Sequence, residues 1–195
     1  MYTVFDEAAL GYVSRNPPSG TAFETILKPT DFDAATSEIS MWENYAPTPL
    51  HHLSALARDL GVSDILYKDE SPRFGLKSFK ALGGAYAGMR VVQRELTKAL
   101  GRDAQLSEVR DGSLADSISK ITLCAATDGN HGRSLAWGAQ MIGAPCKIYL
   151  HKAVSEGRAQ AMRDYGADVI RVDADYDESV RIARQESEDN GWFVV

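Results

Sequence analysis

Two short segments of the sequence carry side chains that could do chemistry. The first, residues 127–132, reads Thr-Asp-Gly-Asn-His-Gly and combines a carboxylate, an amide and an imidazole with two glycines. Glycines let the backbone approach a ligand closely, and the N-terminus of a following helix offers N–H groups to a carboxylate or phosphate. A simpler interpretation is a turn in which Asp128 or Asn130 caps that helix. This segment alone leaves both interpretations open.

The second segment, residues 68–80, reads Lys-Asp-Glu-Ser-Pro-Arg-Phe-Gly-Leu-Lys-Ser-Phe-Lys and leads into a predicted helix. The positive end of a helix dipole disfavours the ammonium form of a lysine in the first turn, and partial burial against Phe79 would act in the same direction. A neutral amine is what an aldehyde cofactor needs for covalent attachment. Lys80 and Lys77 are rivals on chemistry alone, and a solvated surface lysine is the simpler alternative.

The elements that must position these segments follow from the spacing of apolar residues. Helical spacing predicts an amphipathic helix over residues 78–100, capped by Ser78 and ended by Gly101. Further on, strand patterns precede helices three times, and a fourth strand begins near the end of the chain. These strands are predicted at residues 121–126, 146–150, 169–172 and 192–195. Such repeats imply right-handed βαβ units, and therefore an α/β fold with a three-layer αβα parallel sheet. Ligands of such sheets bind at the carboxyl ends of the strands, where residues 127–132 fall.

The remaining segments carry weaker patterns. Residues 1–45 are expected to form an irregular extension, with a turn at residues 16–20. A short helix over 51–60, a brief strand over 65–68, and a polar stretch prone to insertion or disorder up to residue 119 are also expected. Because a domain seldom ends inside a strand, we expect a truncated chain, with a terminal edge strand as the alternative.

Composition and charge argue against several classes of protein. The net charge of −6 leaves no basic excess for a nucleic-acid backbone. Asp6 and Glu7 stand where a secretion signal would be basic, and the uncharged stretch 134–146 is too short to cross a bilayer. We therefore expect a cytoplasmic protein with neither a membrane nor a nucleic-acid partner. Cys124 and Cys146 lack partners at metal spacing, so we expect reduced core residues and no metal site.

The two segments together resemble the fold-type-II, tryptophan-synthase-β-like family of pyridoxal-phosphate enzymes. The resemblance rests on Ser-Phe-Lys at 78–80, on Gly-Asn-His-Gly at 129–132 roughly fifty residues later, and on Thr-Pro-Leu at 48–50. Within the family, the wording around these motifs resembles the diaminopropionate ammonia-lyases more than the dehydratases, which usually carry a small residue in place of Asp128. The resemblance runs from residue 42 to residue 195 and implies a whole protein roughly twice this length.

The resemblance implies a reaction of amino-acid catabolism, the α,β-elimination of ammonia from 2,3-diaminopropionate to give pyruvate and ammonia. Pyridoxal 5'-phosphate is the implied cofactor, bound covalently by Lys80, beside Phe79, with Asn130 contacting its phenolic oxygen. Asp128 is implied as the base toward the D-isomer. Three further residues are implied to hold the substrate carboxylate: Thr127, Gly129 and His131.

The resemblance also implies what lies outside the chain. It makes the fold incomplete, with residues 1–85 as part of the large domain and residues 86–195 as a small αβα domain. Because the phosphate cup would come from a missing C-terminal half, the chain alone is expected to bind the cofactor weakly and turn over little. A homodimer is expected from the family, or a companion chain that supplies that half. A serine or threonine dehydratase and a non-catalytic ligand-binding fragment are the alternatives.

Overall fold

The computed structural model of the protein describes residues 28–195, and the chain divides into two compact units between Thr36 and Ser37. Of the first unit, only residues 28–36 are described, and they contain most of helix α1 (Pro29–Ile39). Proline suits the first position of a helix because its missing N–H would have no intrahelical partner. The irregular extension expected over residues 1–45 is therefore wrong at this helix, whereas the expected turn at 16–20 lies outside the described residues.

A small antiparallel pair of strands stands near the start of the second unit. Strand β1 (Leu50–His52) pairs with β2 (Leu66–Lys68), and helix α2 (Ser54–Leu60) connects them. The helix was predicted to begin at His51, but His51 and its neighbour are paired in β1, so it starts three residues later. Its end at Gly61 is as predicted, since this glycine takes the left-handed conformation with φ of 67°.

Helix α3 (Lys80–Leu100) is the longest helix described, and it ends at the predicted glycine. The polar stretch after it was expected to hold insertions or disorder, and instead contains the short helices α4 (Leu106–Arg110) and α5 (Ala115–Ile118). Val109 and Ile118 are fully buried and anchor these helices to the core. The prediction was wrong because two isolated apolar anchors do not produce a periodic pattern.

The main sheet has four strands: β3 (Leu123–Ala126), β4 (Cys146–His151), β5 (Asp168–Val172) and β6 (Phe193–Val194). All four are parallel, in the order β5-β4-β3-β6. The ends of each strand agree with those that the sequence predicted to within two residues. The predicted parallel sheet is therefore confirmed.

Helices cover both faces of this sheet. Three of them, α6 (Asn130–Ile142), α7 (Glu156–Arg163) and α8 (Tyr176–Asn190), connect successive strands. Alternate residues of the central strands face opposite layers, as the pleat of a strand requires. Leu123 and Ile148 pack in the larger core with α3, α6 and α7, whereas Cys124 and Tyr149 pack in a second core under α8. The predicted three-layer αβα arrangement is confirmed.

The two cysteines are buried and unpaired, as the sequence predicted. Burial raises the pKa of the Cys146 thiol to about 12 and also raises that of Cys124. Since the thiolate is the reactive form, both side chains act as core residues. Over residues 28–195 we find no group of histidine, cysteine and acidic side chains arranged to hold a metal ion.

The helices α3 and α6 approach each other closely because their contact residues are small. A Cβ atom added at Gly138 would lie 2.7 Å from the Cα atom of Ala85, and one at Gly84 would lie 2.6 Å from Ser134 Oγ. No real side chain tolerates such distances. Glycine is therefore required at this crossing for steric reasons.

The predicted domain boundary between residues 85 and 86 falls inside α3, which runs through it as one continuous helix. Residues 37–195 form one compact unit. The division into a large and a small domain concerns the whole enzyme and stays a prediction. Of the helices in the described part of the chain, none has the length and apolar character needed to cross a membrane.

Candidate active site

A cavity of about 390 Å³ opens at the carboxyl end of β3. Five of the predicted site residues line it, together with Ala126 and Tyr176: Lys80, Thr127, Asp128, Asn130 and His131. Lys80 and Asn130 come from different motifs and are the first residues of α3 and α6, respectively. The structure therefore brings the two motifs to one cavity.

The two helix starts meet because of Ser134, one turn into α6. Its side chain is 1% exposed, and its hydroxyl donates to the main-chain carbonyl of Lys80 at 2.7 Å. The same oxygen accepts the N–H of Ala85 at 3.1 Å. Since leaving a buried hydroxyl unpaired is costly, these bonds fix the first two turns of α3 against the start of α6.

The loop before α6 is organised by Thr127, which is 3% exposed. Its hydroxyl oxygen accepts the N–H groups of Gly129 at 3.2 Å and of Gly132 at 3.3 Å. Gly129 occupies the capping position of α6 and has no side chain to cap it, so Thr127 provides the side-chain acceptor for the first turn. The interpretation of Asp128 or Asn130 as a simple helix cap is therefore wrong, and both side chains are exposed at the cavity.

Of the two rival lysines, Lys80 lines the cavity and Lys77 does not. Phe79 is also absent from the lining and is 60% exposed, with its ring centroid 5.3 Å from Lys80 Nζ. The expected partial burial of Lys80 against this ring is wrong, because both side chains face solvent. Gly129 lines a neighbouring cavity instead.

The segment that leads to Lys80 is held by Arg73, which is 7% exposed. Its guanidinium donates to the Glu70 carboxylate at 2.8 Å, to the Ala46 carbonyl at 3.0 Å and to the Thr48 hydroxyl at 3.0 Å. Hydrogen bonding from Arg73 lowers the pKa of Glu70 from 4.5 to about 2. The acidic and basic residues of this motif therefore support the loop.

The turn between Arg73 and Ser78 has an uncommon backbone. Phe74, Gly75 and Lys77 all have positive φ, at 47°, 71° and 56°. This conformation costs little for glycine but is unfavourable for the other two residues, and such backbone strain concentrates at functional sites. The ring of Phe74 is held against Trp42 and Trp137, with centroids 5.8 and 5.0 Å away.

Two contacts at the cavity were not found by sequence reasoning. Tyr176, the first residue of α8, lines the cavity and packs edge-on against His151, with ring centroids 6.3 Å apart. Its position shortly after the carboxyl end of β5 is the signal that could have identified it. The Nε2 atom of His131 lies 3.1 Å from the carbonyl of Val195, so this ring is also oriented by the main chain next to β6.

A three-layer α/β domain with a lysine, a carboxylate and an amide around one cavity has the form of a cofactor-dependent α/β enzyme. The family profile described as "Pyridoxal-phosphate dependent enzyme" matches residues 41–195, and the chain belongs to that family.

The curated proteins to which the chain is similar include two diaminopropionate ammonia-lyases. The diaminopropionate ammonia-lyase of Salmonella typhimurium (strain LT2) is 38% identical over 152 residues, covering 78% of this chain and 37% of that protein. The protein of that name from Escherichia coli (strain K12) is 42% identical over 152 residues, covering 77% and 37%. A crystal structure of holo diaminopropionate ammonia lyase from Escherichia coli matches with a TM-score of 0.77 and 38% identity, covering 86% of this chain and 42% of that one. The resemblance drawn from the motifs is confirmed, and the chain spans less than half of these relatives.

The residues at the cavity fit pyridoxal phosphate, the cofactor of the family. Of the side chains that line the cavity, Lys80 alone carries an amine, the group that an aldehyde requires. The amide of Asn130 is a donor suited to a phenolic oxygen. The volume of about 390 Å³ lies in the range of small-molecule sites.

Proposed function

We propose that the chain is part of a pyridoxal-phosphate-dependent ammonia-lyase that eliminates ammonia from 2,3-diaminopropionate and yields pyruvate. The observation that carries this proposal is the convergence of Lys80 and Asn130, from two separate motifs, on one cavity that Asp128 also lines. The names of the relatives support ammonia as the leaving group.

The residues that begin the two helices would hold the cofactor. When bound, pyridoxal phosphate would supply the electron sink for negative charge at the substrate Cα. Lys80 Nζ would hold the cofactor covalently, and the Asn130 amide would donate a hydrogen bond to its phenolic oxygen. Phe79 packs beside the lysine, with its ring 5.3 Å from Nζ. Ser134 keeps both helix starts at a fixed separation through its bond to the Lys80 carbonyl.

The substrate is oriented by the loop before α6. Asp128 accepts the Cα proton of the D-isomer, a role that suits an exposed carboxylate at the cavity. Thr127 and His131, which line the cavity, hold the substrate carboxylate. Gly129 lines the neighbouring cavity and its N–H donates to Thr127 Oγ1, so the part of Gly129 in this task is to shape the loop. His131 acts as a positioning residue, because its ring Nε2 lies within hydrogen-bond distance of the main-chain carbonyl of Val195.

Borohydride reduction in the presence of pyridoxal phosphate tests the cofactor site. Reduction makes the lysine–cofactor bond permanent, and peptide mass spectrometry should locate it at residue 80. Lys80→Ala should abolish the labelled peptide, whereas the matched control Lys77→Ala should retain it. A label that survives in Lys80→Ala and disappears in Lys77→Ala would overturn the assignment. Faster pyruvate release from serine than from 2,3-diaminopropionate would favour a dehydratase instead.

We also propose a cytoplasmic enzyme that works as a homodimer or with a companion chain carrying the C-terminal half. The absence of a disulfide at Cys124 and Cys146, both buried, is consistent with this location, since disulfides are rare in the cytosol. Apolar side chains around β1 and α2 support the assembly, because Leu50, Leu56 and Leu66 are all about half exposed. Sedimentation velocity of the chain with and without such a half tests the assembly.

A further inference from the structure

A second cavity, of about 310 Å³, lies on the other side of the loop that precedes α6. It shares Asn130 with the candidate active site and otherwise has its own lining. The lining residues that matter for its chemistry are Gly129, Arg133, Ser155, Gly157 and Arg158. Lys80 and Asp128, assigned above to cofactor attachment and proton transfer, do not line this cavity, whereas Asn130 and Gly129 of the active-site loop do.

Two arginines line this cavity, and no acidic residue does. The side chain of Arg158 is exposed and donates to the main-chain carbonyl of Asp128 at 3.3 Å. The guanidinium of Arg133 donates through Nη1 to the Leu76 carbonyl at 3.4 Å and lies 5.9 Å from the ring centroid of Tyr165, while its Nε atom is buried without a hydrogen-bond partner among residues 28–195. The carboxylate of Glu156 is directed elsewhere, since it accepts from arginines 163 and 171 at 2.5 and 2.8 Å. Two positive charges therefore border the cavity with no neutralising group in its wall.

Two helices also begin at this cavity. Helix α7 starts after Ser155, whose side chain makes no capping hydrogen bond, and α6 starts after Gly129, where Thr127 takes up the N–H of Gly132 and leaves those of Asn130 and His131 without an intrahelical partner. The first N–H groups of a helix have no intrahelical partner, and the helix dipole places partial positive charge there. Positive charge and N–H donors therefore surround the cavity from several directions. Such an arrangement suits an oxyanion, which has several acceptor atoms.

We propose that this cavity binds a small phosphate-class oxyanion, at a site separate from the one that holds the cofactor. The volume exceeds that of a single ion, so a small phosphorylated molecule also fits. Arg158 connects the site to the active-site loop, because its guanidinium bonds the carbonyl of Asp128. A bound oxyanion and the loop share this one guanidinium, so occupancy of the cavity is coupled to the loop that carries the proposed base.

Titration of the 195-residue chain with inorganic phosphate, at constant ionic strength and without pyridoxal phosphate, tests the proposal. Phosphorus NMR line broadening should show saturable binding. Arg158→Gln should weaken the affinity about tenfold, since a charge-assisted hydrogen bond is lost. Arg90→Gln, which removes an exposed arginine on α3, should leave the affinity unchanged.

Gly157→Asp provides a second variant that should fold normally. A Cβ atom at this position has open space around it, and an acidic residue in the first turn stabilises a helix. The new carboxylate should repel phosphate and weaken binding by at least about tenfold, while the urea midpoint stays equal or rises. Binding that is not saturable, or that both variants leave intact, would overturn the proposal. So would an equal loss in Lys80→Ala, since phosphate would then occupy the first cavity.

Discussion

Asp128 stands at the cavity with an exposed side chain, while its main-chain carbonyl is fixed by Arg158. Asp128→Asn keeps the size and polarity of the side chain but removes its ability to take a proton. In the assembled holoenzyme we expect pyruvate release from D-2,3-diaminopropionate to fall by about 10² to 10⁴. Release from the L-isomer and borohydride labelling of Lys80 should change little. Equal losses for both isomers would contradict the assignment of Asp128 as a stereospecific base.

Individual site residues were predictable from the sequence where a motif fixed both type and spacing. Lys80, Asp128 and Asn130 were found in this way, and they line one cavity. Ser134 and Tyr176 were not found. The bond from Ser134 to Lys80 spans 54 residues of sequence and exists only once the helices cross, so no local pattern indicates it.

At the scale of elements, the crossing of α3 and α6 depends on Gly138. Gly138→Ala would place a methyl group 2.7 Å from Ala85, and such overpacking should lower the free energy of unfolding by about 1–3 kcal/mol. The matched control is Gly83→Ala on α3, where an added Cβ meets nothing within 4 Å. It should stabilise the protein by about 0.5–1 kcal/mol through helix propensity. Urea unfolding measures both, and equal effects would show that the crossing is not sterically limited.

The segment before α3 should respond to pH through Glu70. Its pKa is about 2 in the folded protein, below the ordinary 4.5, because Arg73 bonds the charged form. The resulting stabilisation is present above pH 4.5 and is lost as the pH falls from 4.5 toward 2. Glu70→Gln should therefore destabilise the protein at pH 7 and have a smaller effect near pH 3. Urea midpoints of both proteins at each pH test this, and a pH-independent difference would refute it.

The ends of helices and strands were predictable where a glycine or a regular spacing of apolar residues marked them, and not elsewhere. The left-handed glycines at the ends of α2 and α3 were identified correctly. The start of α2 was misplaced because His51 and His52 pair with β2, a contact that outweighs local helix preference. The strained turn at Phe74 and Lys77 gave no signal in the sequence, since neither residue type favours positive φ.

At the scale of the whole molecule, the chain matches only 37% of the length of its curated relatives. We expect the isolated chain to bind pyridoxal phosphate weakly, because the predicted phosphate cup belongs to the other half. Addition of a C-terminal half taken from a relative should tighten binding and raise pyruvate release. Absorbance titration with the cofactor, with and without that half, measures the change. Tight binding of pyridoxal phosphate by the isolated chain would refute the prediction that the other half supplies the phosphate cup.

The hydroxyl of Ser134 holds the first turns of two helices together, and the glycine-lined crossing leaves no slack beneath it. The main chains that carry the lysine and the amide are consequently tied to each other where the two helices begin. Separating these helix starts would require breaking both hydrogen bonds of the Ser134 hydroxyl and parting a crossing that glycine keeps close. The distance between the two backbones is therefore set by the fold before any ligand arrives.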